Sequence, residues 1–428
     1  MTLADTRLSA RPRAAATATP ALKHGRHFLS IPGPSVIPDR VLAAMACAMP
    51  NIYEGELVER SESILAELPS IARTTTGVPF ITVSNGHGAW EMALTNTLSR
   101  GDKVLVLESG RFAVGWGEMA RVMGIEVEVL NARPRRAVDP AAVETRLRED
   151  RQHEIKAVLV VQIDTASSVC NDIAAIRAAI TNAGHPALFM VDCIASLGCV
   201  PFEMDAWGVD VTVAGSQKGL MVPPGLAFCW AGPRAMEACQ TAGLRTGYWD
   251  WRARSAEGQH YLRYCGTPPV SHLAALREAL DMIAEEGLEN VWARHAALAR
   301  AVRAAVAVWS TPGGIEINVT EPSERSDAVT TVLTGSIDAA RLRAVCEQRA
   351  GLTLGIAFAP NEGRAFRIGH MGHLNPPMIL GTLGTIEAAL IGMGAPIGGS
   401  GVAAAATSIA ADLGAALVPG TDAPSFNP

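Results

Sequence analysis

The sequence predicts an α/β protein with two folded parts: a large domain built on a mostly parallel sheet, and a smaller α+β domain after it. Three observations carry this. Short apolar runs alternate with helical patterns from about residue 26 onward. Several of those runs lack polar alternation, as strands covered on both faces do. After Pro268 the order changes to long helices followed by isolated strands.

Taken in order, strands are expected at 80–83, 103–107 (KVLVL), 126–130 (EVEVL), 156–163 (KAVLVVQI), 187–191 (ALFMV), 209–213 (VDVTV) and 226–230 (LAFCW). Helical patterns fall between them at 90–98, 113–123, 140–148 and 173–182. A long helical region covers 270–308, broken near Glu286-Gly287. Strands at 314–319, 328–334 and 364–369, with a helix at 338–349, form the smaller domain. The expected division is a flexible arm at 1–25, a large domain at 26–287, a small domain at 288–395 and an Ala/Gly-rich tail at 396–428, with a helix at 404–416. The arm holds several Ala, Arg and Thr with one acid, Asp5. That composition imitates an organelle transit peptide, but it shows no amphipathic stripe.

The composition excludes several classes. Of 428 residues, 49% are hydrophobic and 18% charged, enough to bury a sizeable core. A net charge of −6 argues against a nucleic-acid coat protein. The stretch 378–399 is apolar but carries Glu387 and many glycines, so no membrane span is expected. Eight cysteines without a CxxC pair suit a reducing cytoplasm, where they serve as small buried residues.

Chemistry concentrates at predicted strand ends. Ala214-Gly215-Ser216-Gln217-Lys218-Gly219 follows the 209–213 strand, which puts Lys218 on the rim where α/β sheets bind ligands. Asp192 ends the 187–191 strand and can reach the same rim. A lysine for a Schiff base and an acid to keep a pyridine nitrogen protonated are what pyridoxal phosphate requires. Burial would lower the lysine pKa and favour its nucleophilic amine. The turn Ser84-Asn85-Gly86-His87-Gly88 opens a helix after a strand, the usual form of a phosphate cradle. Phe112, just beyond the 103–107 strand, can stack on a flat ring.

Together with Ile31-Pro32-Gly33-Pro34-Ser35, Pro223-Pro224-Gly225 and Phe366-Arg367-Ile368-Gly369-His370, these motifs resemble the class V, fold type I aminotransferases. The resemblance is to the alanine–glyoxylate and serine–glyoxylate (serine–pyruvate) group and covers roughly residues 28–392. It implies pyridoxal 5'-phosphate as cofactor, with Lys218 forming the Schiff base and shuttling the proton, and Asp192 on the pyridine nitrogen. Phe112 would stack on the ring. Asn85, Gly86, His87 and Gln217 would hold the phosphate, and Thr165 the ring oxygen. Tyr264 and Thr267 would reach the phosphate from a neighbouring subunit, which implies a homodimer with shared sites. Arg367 would grip the substrate carboxylate. The expected reaction moves the amino group of serine or alanine to glyoxylate or pyruvate; the alternatives are a pyridoxamine–pyruvate aminotransferase or a different donor such as aspartate. Asn85 stands where relatives often carry Ser, and residues 51–55 (NIYEG) replace a His-Arg-Ser-Pro-like stretch near the substrate.

Other signals were weighed. His370 and His373 form an H-x-x-H pair without a third ligand pattern, so no metal is expected. Cys346 is the sole cysteine of the small domain and falls in a predicted helix, which speaks against a cysteine desulfurase. The run Tyr248-Trp249-Asp250-Trp251 fits a substrate entrance, a packed loop or a dimer contact. A catalytically silent scaffold would have lost Lys218 or Asp192, and both are present.

Overall fold

The computed structural model describes residues 22–256 and 258–415. Most of the expected N-terminal arm (1–21) and the end of the expected tail (416–428) lie outside the described residues.

The first part of the chain runs β1 (Phe28–Ser30), α1 (Asp39–Ala44), α2 (Glu56–Ile71), β2 (Val78–Ser84), α3 (Gly86–Thr97), β3 (Lys103–Leu107), α4 (Arg111–Val122) and β4 (Glu126–Leu130). It continues with α5 (Pro140–Glu149), β5 (Ile155–Val161), β6 (Ile163–Asp164), β7 (Val169–Cys170), α6 (Ile173–Asn182), β8 (Leu188–Asp192), β9 (Val211–Gly215) and β10 (Gly225–Ala231). Then come α7 (Pro233–Ala238), α8 (Trp251–Ser255), α9 (Val270–Glu286), α10 (Leu288–Trp309), β11 (Glu316–Ile317) and β12 (Val329–Leu333). The last elements are α11 (Ala339–Ala350), β13 (Leu352–Ile356), β14 (Ala365–Gly369), α12 (Pro376–Gly392) and α13 (Gly401–Ala415).

The large sheet has seven strands in the order β2-β10-β9-β8-β5-β3-β4. Its pairs are parallel except those of β10, which runs antiparallel to β2 and β9. The absence of alternation in its strands now has its cause, because successive residues feed two cores. Val158, Val160, Phe189 and Val191 enter the core shared with α2, α6 and α9. Ala157, Leu159, Leu188 and Met190 enter the core shared with α3, α4 and α8. Helix starts follow local chemistry. Asp139 caps α5 ahead of Pro140, Asp172 caps α6, and Asn375 caps α12 ahead of Pro376, each accepting from a backbone N–H of the first turn.

The small sheet is β1-β13-β14-β12-β11, packed against α10, α11 and α12. Two features cross the expected division. Residues 28–30, assigned to the large domain, pair parallel with 352–354 of the small one. A three-residue strand has too little pattern to announce a partner this distant in sequence. The tail helix begins at Gly401, and Ala405 and Ile409 are buried against the small-domain core. Burying an isoleucine contributes roughly 2 kcal/mol, so α13 is part of that domain and not a loose appendage. Among the described residues, no helix is long and apolar enough to cross a membrane.

Candidate active site

Asn85, Gly86, His87, Phe112, Thr165, Asp192, Gln217 and Lys218 line one cavity of about 220 Å³ at the carboxyl ends of β2, β3, β8 and β9. The segments at and after the carboxyl ends of β2, β3, β5, β8 and β9 meet at this edge, the place where open α/β sheets bind ligands. A larger groove of about 740 Å³, lined by Phe28, Leu42, Leu352 and Met378 among others, lies elsewhere, and its lining holds no lysine, cysteine or carboxylate.

Lys218 is set by the turn that follows β9. Ser35 Oγ donates to its carbonyl at 2.8 Å, and Ser35 N donates to Gln217 O at 2.9 Å. Its Nζ donates to Pro32 O. Gly33, at φ +96°, lies against the lysine side chain, and a Cβ there would overlap it. Burial lowers the Lys218 pKa to about 8, and the Arg367 guanidinium adds to that; Asp192 pulls the other way. An amine with that pKa is about one-fifth neutral at about pH 7.4, far more than an ordinary lysine, which favours it as a nucleophile.

Asp192 is 3% exposed. Its Oδ2 accepts from Trp90 Nε1 at 2.8 Å and its Oδ1 from Ile194 N at 2.6 Å. Burial pushes its pKa up to about 7, against the pull of those two bonds and of Lys218. A buried carboxylate this poorly compensated favours a cationic partner.

The first turn of α3 opens onto the cavity. Asn85 caps it, its Oδ1 accepting from His87 N at 3.1 Å. Gly86 lets the turn approach Ile194 so closely that any Cβ would overlap that side chain. Burial lowers the pKa of the His87 ring below its usual value. The buried Gln217 Oε1 has no partner, and turning the amide over would aim its NH2 at an anion. A helix N-terminus, a spare amide and a glycine-tight turn fit a phosphate group.

Asp164 organises the opposite wall. Its Oδ2 accepts from Phe112 N at 2.8 Å and Ala113 N at 3.1 Å, and so caps α4; its Oδ1 accepts from Ala166 N at 3.0 Å. It thereby fixes both Phe112 and the Thr165 turn. Arg367, on β14, reaches across from the small domain. Its Nη1 donates to Thr165 O at 2.8 Å and its Nε to Ile356 O at 2.5 Å, with the guanidinium 4.6 Å from the Phe358 ring. Burial lowers its pKa to about 10, which leaves it a cation at neutral pH. Phe358 also meets Phe112 edge-on at 6.1 Å.

Within one chain the structure does not bring Tyr264 and Thr267 to this cavity. Tyr264 is buried, its hydroxyl bonded to Ser61, beside a separate small cavity with Arg254. Thr267 is exposed just ahead of α9. Sequence reasoning missed Trp90, Asp164 and Phe358. Trp90 opens the expected helix at 90–98, three positions after His87 on the same helix face, and Asp164 directly follows the expected strand at 156–163. Phe358 had no local signal.

The remaining signals resolve into structure. His370 is buried, its Nδ1 bonded to Asp327 O and its Nε2 to Thr330 Oγ1, both at 2.9 Å. Among the described residues, no group of three or more His, Cys, Asp or Glu gathers as a metal site. Cys346 is buried inside α11. Trp251 is buried, stacked on Phe80 at 5.4 Å, while Trp249 and Asp250 are half-buried and Tyr248 is exposed.

The family model "Aminotransferase class-V" matches residues 72–356. The chain belongs to the class V aminotransferases. It is 40% identical over 391 residues to the serine–glyoxylate aminotransferase of Methylorubrum extorquens, covering 90% of this chain and 96% of the relative. It is 39% identical over 379 residues to the L-aspartate–glyoxylate aminotransferase of Paracoccus denitrificans, covering 88% and 94%. Among solved structures it resembles the pyridoxamine–pyruvate aminotransferase of Mesorhizobium loti, with a TM-score of 0.82, 27% identity and coverage of 91% and 99%. Membership in this family makes the chain an enzyme that transfers amino groups, and its fold is the family's fold type I.

Proposed function

We propose that the chain is a pyridoxal 5'-phosphate-dependent aminotransferase that moves the amino group of a small L-amino acid, serine or alanine, to glyoxylate or pyruvate. One observation carries the reading: a lysine amine with a pKa near 8 and a fully buried carboxylate face one cavity that ends at a helix N-terminus. When bound, pyridoxal phosphate supplies an aldehyde carbon for the amino group and a protonated ring that withdraws electrons.

Each side chain then has work to do. Lys218 Nζ would hold the cofactor's aldehyde carbon, and its neutral amine would move the substrate's α proton. The Asp192 carboxylate would pair with the ring nitrogen. Phe112 would lie against the ring, and Thr165 would serve the ring oxygen. Asn85, Gly86, His87 and Gln217 would hold the phosphate. The remaining donor capacity of Arg367 would take the substrate carboxylate. Tyr264 and Thr267 serve the phosphate of a second copy, in a homodimer; Thr267 is exposed as that role needs, and Tyr264 would have to release Ser61. Eight unpaired cysteines suit a reducing cytoplasm.

Among the relatives, the serine–glyoxylate names support serine as donor. The aspartate–glyoxylate relative and the pyridoxamine–pyruvate structure support the alternatives. The test is a panel of half-reactions with serine, alanine, aspartate and pyridoxamine as donors, each followed by glyoxylate or pyruvate, in wild type and Lys218→Ala. Serine or alanine should convert the bound cofactor, and the variant should show neither the visible absorbance nor turnover. Full turnover in Lys218→Ala overturns the assignment, and a response to pyridoxamine alone selects the second reading.

A further inference from the structure

Trp90 sits between the phosphate turn and the buried carboxylate. Its indole is 1% exposed, stacked 5.9 Å from Trp116 at 13° on one side and 4.5 Å from the His87 ring on the other. Its Nε1 donates to Asp192 Oδ2 at 2.8 Å, while Ile194 N donates to Oδ1 at 2.6 Å. Each carboxylate oxygen thus takes one donor from a fixed position. This bond is not a general demand of buried indoles in this chain, since the indole N–H groups of Trp116, Trp230 and Trp251 are buried without a partner. Among the described residues, Trp90 is the one side chain hydrogen-bonded to Asp192.

We propose that Trp90 is a positioning residue for amino transfer: with the Ile194 amide, its indole N–H clamps the Asp192 carboxylate so that its free edge stays turned to the cavity. The inference rests on the reading of Asp192 as the ring-nitrogen partner. It extends that reading by making α3 serve both ends of the site, with its first turn at the phosphate and its next turn at the ring nitrogen. The other groups facing Asp192 are Asp164 at the end of β6, which opposes its ionisation, Lys218 after β9, which favours it, and the neighbouring Cys193 thiol. Without the indole donor, the Asp164 charge and the burial are less opposed. The carboxylate is then free to rotate and holds its proton to higher pH.

The test compares the full-length chain with Trp90→Phe, which keeps a ring without a donor, and Trp90→His, whose ring nitrogen can occupy the same place. Thermal melting serves as the fold control. In Trp90→Phe the Kd for pyridoxal phosphate should rise about tenfold. The acid limb of the kcat–pH profile should move up by about one unit, with KM for the amino acid unchanged. Trp90→His should recover most of both losses. Wild-type constants in Trp90→Phe overturn the proposal, as does equal damage in both variants in step with lost melting temperature. Should both variants fail to fold, the wild-type chain labelled with 15N-tryptophan decides. Without cofactor, the Trp90 indole resonance must titrate with Asp192 between pH 5 and 9, and a resonance that stays still refutes the clamp. Failure of the underlying cofactor reading would look different, because the wild-type chain itself would not bind pyridoxal phosphate.

Discussion

Replacing Asp192 with Asn tests the electrostatic logic of the site without any substrate. Burial raises the Asp192 pKa from 3.8 to about 7, some three units. Its folded pKa is thus raised above its unfolded one. Its contribution is therefore fully present below about pH 4 and is lost as pH rises to about 7. At 1.36 kcal/mol per unit this amounts to ~4 kcal/mol, of which ~3 kcal/mol falls above pH 5. Asp192→Asn removes the titration, keeps one acceptor for Trp90 or Ile194, and loses about one hydrogen bond, a pH-independent offset of ~1 kcal/mol. The assay is urea unfolding of both proteins, freed of cofactor, at fixed protein concentration from pH 5 to pH 8. The stability difference should move in favour of the variant by ~3 kcal/mol across that range. Saturating pyridoxal phosphate should stabilise the wild type more than the variant, because only the aspartate offers a counter-charge. Parallel stability curves for the two proteins would refute the claim that burial holds the proton on Asp192.

Three further outcomes are expected. The rate at which the cofactor-free chain takes up pyridoxal phosphate should follow neutral Lys218 Nζ, rising with pH up to about 8 and levelling above it, as stopped-flow absorbance will show; a flat profile from pH 6 to 9 contradicts the lowered pKa. Arg367→Lys gives up the guanidinium fork that bonds Thr165 O and Ile356 O, so steady-state kinetics should show KM for the amino acid rising roughly 10- to 100-fold while the cofactor Kd holds. Gly86→Ala drives a methyl into Ile194 and should weaken cofactor binding about tenfold in equilibrium dialysis, with Ile194→Val in the same chain restoring part of it.

Much of the site was legible because its chemistry sits at strand ends, where local pattern is strongest. Asp192 closes one fully buried strand and Lys218 follows another by three residues, and a strand–connection–strand interval puts both on one rim. The Asn85 turn announced itself as a strand running into a glycine-rich helix start. Trp90 and Asp164 were read past because each looks ordinary alone. A tryptophan in a helix reads as core, and an aspartate after a strand reads as a cap, which Asp164 in fact is, for a helix some fifty residues earlier. Phe358 lies between β13 and β14 beside Arg367, and it meets Phe112 only through the docking of the small domain.

The amino-acid order by itself determined the alternating strands and helices, the doubly covered sheet and the candidate amine and acid, since these follow from periodicity and from side-chain chemistry at the ends of neighbouring strands. Only the tertiary structure decided that β1 joins the small sheet, that Arg367 reaches the Thr165 turn, and that an indole N–H holds the buried carboxylate. Those contacts join segments far apart in sequence. Their strength comes from excluding water around groups that no local pattern brings together.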